Sequence, residues 1–144
     1  MVVLKYLFPR VCGSRGQSVW KLCMRLVFGG LLLSHGVAKL CNYSELAAGA
    51  FPDVTGLGSE VSVVLAIFAE AVCSVAFIVG LLTRLCLLPM IATMSVAFFV
   101  IHGGSISEGE LAFAYLVVFV AMWFAGPGRY SLDGLLGRLL IGRK

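Results

Sequence analysis

Charge is scarce in this chain of 144 residues: 12% are Asp, Glu, Lys or Arg, and only seven residues are acidic. Histidine and tryptophan occur twice each and proline four times. Set beside 60% apolar residues and a mean hydropathy of +1.04, so little charge excludes an ordinary soluble domain. The net charge of +4 is explained by topology, as set out below, and gives no reason to invoke nucleic acid. The five cysteines, Cys12, Cys23, Cys41, Cys73 and Cys86, include no C-x-x-C pair. That absence argues against a thiol–disulfide relay, which wants paired and exposed thiols.

What is present is four long apolar runs, Leu22–Leu40, Val61–Leu82, Leu85–Ile101 and Leu111–Ala125. A helix needs about 20 residues to cross the hydrocarbon core, with about 17 as a lower limit. The runs are continuously apolar rather than alternating, so helices are expected and a barrel is not. The fourth run is short, and its helix is expected from near Ser107 to Gly126. The fold class that follows is all-α: an integral membrane four-helix bundle. A basic segment 1–20 precedes the bundle at 21–128, and a tail at 129–144 follows it. In the tail, Leu132, Leu135, Leu136, Leu139 and Leu140 keep helical spacing behind Ser131 as N-cap, so a short amphipathic helix is expected on the cytoplasmic surface.

Orientation is read from the bases. Lys5, Arg10, Arg15, Lys21 and Arg25 precede or open the first helix, Arg84 sits in the second connection, and Arg129, Arg138, Arg143 and Lys144 follow the fourth helix. Lys39 is the one base expected at the opposite end, so the positive-inside rule puts both termini in the cytoplasm. The expected location is multi-pass, in a bacterial inner membrane. Ala48-Gly49-Ala50 mimics a signal-cleavage site, but His35, Lys39 and Asn42 interrupt the run before it. Only Thr83-Arg84 separates the second and third runs, which predicts a tight helical hairpin. The longer connection from Cys41 to Glu60 is expected to cap the outer face.

Function is sought in the ionisable residues set into these runs. A charge near the bilayer centre costs about 2.5–3.5 kcal/mol even on lenient scales, so such residues face the bundle interior and mark functional sites. Glu70 lies about 14 Å below Val61 at the helical rise. It flanks a small-residue stripe, Ala66, Ala69, Cys73, Ala76 and Gly80, that permits close helix approach. His35 and Lys39 share one helix face. His102 closes the third helix at the outer end and Glu110 opens the fourth. One outward-facing pocket can therefore gather His35, Lys39, Glu70, His102 and Glu110, with Glu70 and His35 as candidates for catalysis. Glu70 is expected to be protonated or paired with His35 or Lys39, His35 being the preferred partner. Each position also has a plainer reading. Lys39 could snorkel to the interface, Glu110 suits a helix N-terminus, Arg84 serves topology, and Tyr115 and Trp123 serve packing. No metal is expected, and haem is disfavoured because His35 and His102 are expected at different depths.

In order along the chain stand Ser34-His35-Gly36-x-x-Lys39-Leu40, Glu70, Gly80-Leu-x-Thr83-Arg84, His102, Glu110 and Gly126-Pro-Gly128-Arg-Tyr-Ser131-Leu-Asp133. This series, from about Trp20 to Leu140, resembles the DoxX family of small bacterial membrane proteins. The resemblance implies a four-helix bundle associated with respiratory or redox proteins, such as quinone-linked thiosulfate oxidoreductases. It also implies that His35, Lys39, Glu70, Arg84, His102 and Glu110 fill recurring polar positions. The expectation is a redox-complex subunit with other subunits as partners, and with a quinone or quinol held by His35, Lys39 or His102 while Glu70 exchanges a proton. A non-catalytic anchor or assembly factor, and a small transporter or proton path through Glu70, stay open beside it. So do a homo-oligomer and the question of whether the chain performs chemistry.

Overall fold

The computed structural model describes residues 14–141. The calls on Lys5, Arg10, Cys12, Arg143 and Lys144 lie outside them. Four helices are long and apolar enough to cross a membrane: α1 (Arg15–Cys41), α2 (Ser59–Val79), α3 (Thr83–Ile101) and α4 (Ile106–Ala125). A fifth, α5 (Leu132–Ile141), follows. Among the described residues there is no strand.

The first helix begins at Arg15, earlier than its apolar run, because Ser14 caps it by accepting the Gln17 amide at 3.3 Å. The fourth spans almost the expected range. The α2–α3 turn sits slightly before the expected Thr83-Arg84, at Gly80–Leu82, since Thr83 already opens α3. Gly80 ends α2 in the left-handed region at φ 75°, with Leu81 N–H on Ala76 O at 2.9 Å, a Schellman closure. A Cβ at Gly80 would also sit 2.5 Å from the Arg25 guanidinium. Cys73 of α2 and Cys86 of α3 are thiol neighbours across this hairpin, although no C-x-x-C spacing announces them.

Two π-helical turns interrupt the regular spans, Phe68–Val72 in α2 and Val96–Ile101 in α3. The core runs down the bundle through Leu32, Cys73, Phe77, Leu87, Met90, Tyr115, Phe119 and Met122. The stripe face of α2 points into it, with Ala66, Ala69, Glu70, Cys73 and Phe77 all buried.

At the end where the described chain starts and finishes, a buried polar knot ties four helices together. Arg25, one of the bases that open the first helix, is 1% exposed. Its Nε donates to Phe77 O (2.8 Å), Nη2 to Ile78 O (2.5 Å), and Nη1 to Pro127 O (3.1 Å) and Tyr130 O (2.8 Å). A cation at the carbonyl end of α2 also suits the helix dipole. Asp133, fully buried, accepts the Leu82 and Thr83 amides at 2.8 Å each, while its own N–H donates to Gly80 O. The start of α5 is thereby held against the α2–α3 turn. Ser131 caps α5 as expected, accepting Gly134 N–H at 3.0 Å. The face that α5 buries is Asp133, Gly134 and Gly137, and Leu132, Leu135 and Leu139 point outward.

Candidate functional site

At the opposite end of the bundle, Gly36 lets α1 lie directly on α2. A Cβ there would meet Ala71 N and Glu70 C at 2.6 Å, both backbone atoms. One helical turn further on, Lys39 bends inward and forms an ion pair with Glu70. Their side chains are 24% and 4% exposed. The preference for His35 as the partner is therefore corrected: close backbone contact at Gly36 brings the Lys39 stem within reach. Lys39 does not simply snorkel outward.

Beside the ion pair is a cavity of about 170 Å³. Its polar lining is His35 and Lys39 from α1, Glu70 from α2, His102 just past α3, and Tyr115 from α4, so all four spans contribute. The two histidines, expected at different depths, line one cavity. His35 is solvent- or lipid-exposed on its other side, with its ring edge-on to Tyr115 at a centroid distance of 6.5 Å. Tyr115 is 2% exposed and stacks on Phe119 at 5.6 Å. Its hydroxyl has no hydrogen-bond partner within the protein. Burying such a donor unpaired costs about 1–3 kcal/mol, which a bound acceptor would recover. Sequence reading gave Tyr115 a packing role; its period on α4 put it inside, but nothing in the sequence marked its hydroxyl as unsatisfied.

The same α2 segment, with Glu70 inside the Phe68–Val72 π turn, is where functional π bulges tend to occur. Glu110 is not brought into the site: it is exposed, and it is Gly109 before it that packs on Phe98 and His102. Arg84 lies at the far end, at the start of α3. Trp123 packs against the core near that end.

A second cavity, of about 410 Å³, opens on the other side of the ion pair. Lys39, Glu70 and Ala97 line both. The rest of its wall is mostly apolar, from α2, α3 and the α1–α2 connection. That connection continues through helical turns at Tyr43–Glu45 and Leu46–Ala50 and then lays Phe51, Val54 and Thr55 into the cavity wall. It covers the apolar cavity rather than the polar one. Asp53 organises it: Oδ1 accepts Gly56 N–H at 2.9 Å and the Ser62 hydroxyl at 3.2 Å, and Oδ2 accepts Gly58 N–H at 3.0 Å. Desolvation pushes the Asp53 pKa up, but the donors from Gly58, Gly56, Ser62 and Thr55 outweigh it and hold the carboxyl below its ordinary range.

Residues 20–103 match the DoxX family. The chain belongs to the DoxX family. An uncharacterised membrane protein of Mycobacterium tuberculosis is 29% identical to it over 91% of this chain and 89% of its own length. An uncharacterised protein of Haemophilus influenzae is 28% identical over 76% of this chain and 85% of its own length. No solved structure matches significantly. With four apolar spans and a membrane-protein relative, this DoxX protein is a multi-pass membrane protein. The family match holds His35, Lys39, Glu70 and His102 but ends before Tyr115.

Proposed function

We propose that this DoxX protein is a membrane subunit of a redox assembly and binds the ring of a quinone or quinol in the polar cavity. The observation that carries the reading is the cavity's size combined with its lining. A dry cavity of roughly 150 Å³ holds a benzene ring, and this one is about 170 Å³. Around that ring-sized space stand hydrogen-bonding groups on several sides: two imidazoles and an ammonium–carboxylate pair, with Tyr115 in the wall. A quinone offers two carbonyl acceptors on opposite edges, and a quinol two hydroxyls. Lys39, His35 or His102 donates to a quinone oxygen, and Glu70 accepts from a quinol hydroxyl. Oxidation of a bound quinol releases two protons and two electrons. Glu70 takes one proton and His35 or His102 takes the other, both protons then leave to the outer side, and the two electrons go to an oxidised centre in a partner redox subunit. With the bases gathered at the terminal end, the positive-inside rule turns the pocket away from the cytoplasm.

Glu70→Gln keeps the shape and removes the exchangeable proton. In lipid nanodiscs under reducing conditions it is expected to weaken binding of a tailless hydroquinone by about tenfold, the loss of one charge-assisted hydrogen bond, and to flatten the pH dependence of binding. Equal affinity and an equal pH profile in variant and wild type would sink the reading. Loss of a co-purifying protein with ring binding intact would favour the anchor role.

A further inference from the structure

We infer that the larger apolar cavity between α2 and α3 is the channel through which the ligand's prenyl tail leaves the polar pocket for the lipid. This rests on the ring-binding reading and adds that the ligand must be a tailed, membrane-resident quinone. Sites that enclose whole small molecules measure roughly 300–1,000 Å³. The polar cavity alone falls below that range and the apolar one within it. A molecule with its head against Glu70 therefore has to place its bulk elsewhere.

The place is adjacent, because Lys39, Glu70 and Ala97 form a wall common to both spaces. Of these, Ala97 is the small member, so the tail's path from one space to the other runs past its methyl group rather than through the ion pair. The cavity exists because α2 and α3 are joined tightly by the Gly80–Leu82 turn, pack along Cys73–Val79, and meet far less by Ser59–Ile67. Small side chains at Ala66 and Ala92 leave the opened angle unfilled, and Pro89 stands at its lower end. Phe51 and Val54 roof it, so access is sideways, between helices, from within the bilayer. Leu65 and Phe68 on its lip are half-exposed. A charged or water-borne ligand gains nothing from such a wall; a prenyl chain gains burial along its length.

The test compares two probes in nanodiscs of one lipid composition: a tailless benzoquinone and the same ring bearing a geranyl tail. Partitioning of the tail into lipid is then the same for every protein variant. Ala92 is exposed and lines the cavity, so Ala92→Phe fills the channel without a buried clash. It is expected to lower affinity for the tailed probe by about tenfold or more, a difference easily read on a binding curve, and to leave the tailless ring unchanged. An unchanged tailed affinity in Ala92→Phe, with both probes binding wild type, overturns the channel and leaves the ring pocket standing. Failure of both probes on wild type overturns the ring pocket and the channel with it. A tail-borne diazirine gives an independent readout. Labelling of Leu65, Ala92 or Val96 supports the channel, and labelling confined to α4 overturns it.

Discussion

Glycine 36 shows how much one residue decides. Alanine is normally the better helix former by about 0.8–1 kcal/mol, so Gly36→Ala would be stabilising on propensity alone. Here the added methyl would lie 2.6 Å from backbone atoms of Glu70 and Ala71, which cannot swing aside. Overpacking costs about 1–3 kcal/mol, and against rigid backbone it wins. Gly36→Ala is expected to lower the melting temperature in detergent and to part Lys39 from Glu70. Gly30, on the same helix with nothing within 4 Å, is the control: Gly30→Ala should leave stability unchanged or raise it. Equal behaviour of the two variants would refute the close contact. The sequence marks Gly36 as part of the Ser34-His35-Gly36-x-x-Lys39-Leu40 series but does not say that it sets a helix contact. That Lys39 rather than His35 meets Glu70 follows from the interhelical distance that Gly36 sets, and no periodicity contains that distance.

The tail motif becomes intelligible once whole elements are considered. Gly126-Pro-Gly128-Arg-Tyr-Ser131-Leu-Asp133 forms a fastening in which carbonyls of Pro127 and Tyr130 accept from Arg25 and the Asp133 carboxylate caps α3. Removing a capping side chain costs about 0.5–2 kcal/mol, and here two buried amides are orphaned together. Asp133→Ala is expected to reach the upper end of that range, measured by thermal unfolding, and to raise protease access to α5. Asp133→Asn keeps one acceptor oxygen and should lie between. Cleavage and melting identical to wild type would show that α5 is not held by this contact. The leucine spacing of α5 indicated the helix, and Leu132, Leu135 and Leu139 point outward as an amphipathic surface helix requires; the side packed on the bundle is Asp133 with two glycines, which permit the closer approach. The pattern places Arg25 at the terminal end, where it lies, but does not contain its burial, since the four carbonyls that satisfy it come from other segments.

For the molecule as a whole, the two ends of the bundle differ in kind. One carries Arg25 and Asp133 locked into backbone groups; the other holds an ion pair between two cavities. Rigidity at one end and space at the other is what a ligand site on a helical scaffold requires. Topology is tested at this scale: a reporter active only in the cytoplasm should work when fused after Lys144 and stay silent when inserted within 53–58, because the described bases Arg15, Lys21, Arg25, Arg84, Arg129 and Arg138 lie at the terminal end. Activity from the loop insertion together with silence at Lys144 would reverse the assignment.

The sequence by itself determined that this chain makes four apolar helices, where they run apart from the early start of the first, and that Glu70 faces inward, because hydropathy and helical period are local properties of consecutive residues. It also named most of the polar lining, since a charge deep in an apolar run has nowhere else to go. Only the tertiary structure decided which side chain meets Glu70, that Tyr115 stands unsatisfied beside it, that Glu110 stays outside, and that one ion pair divides a polar space from an apolar one. Those outcomes depend on how closely α1 and α2 approach and on how far α2 and α3 splay. Both are set by contacts between residues far apart in the chain.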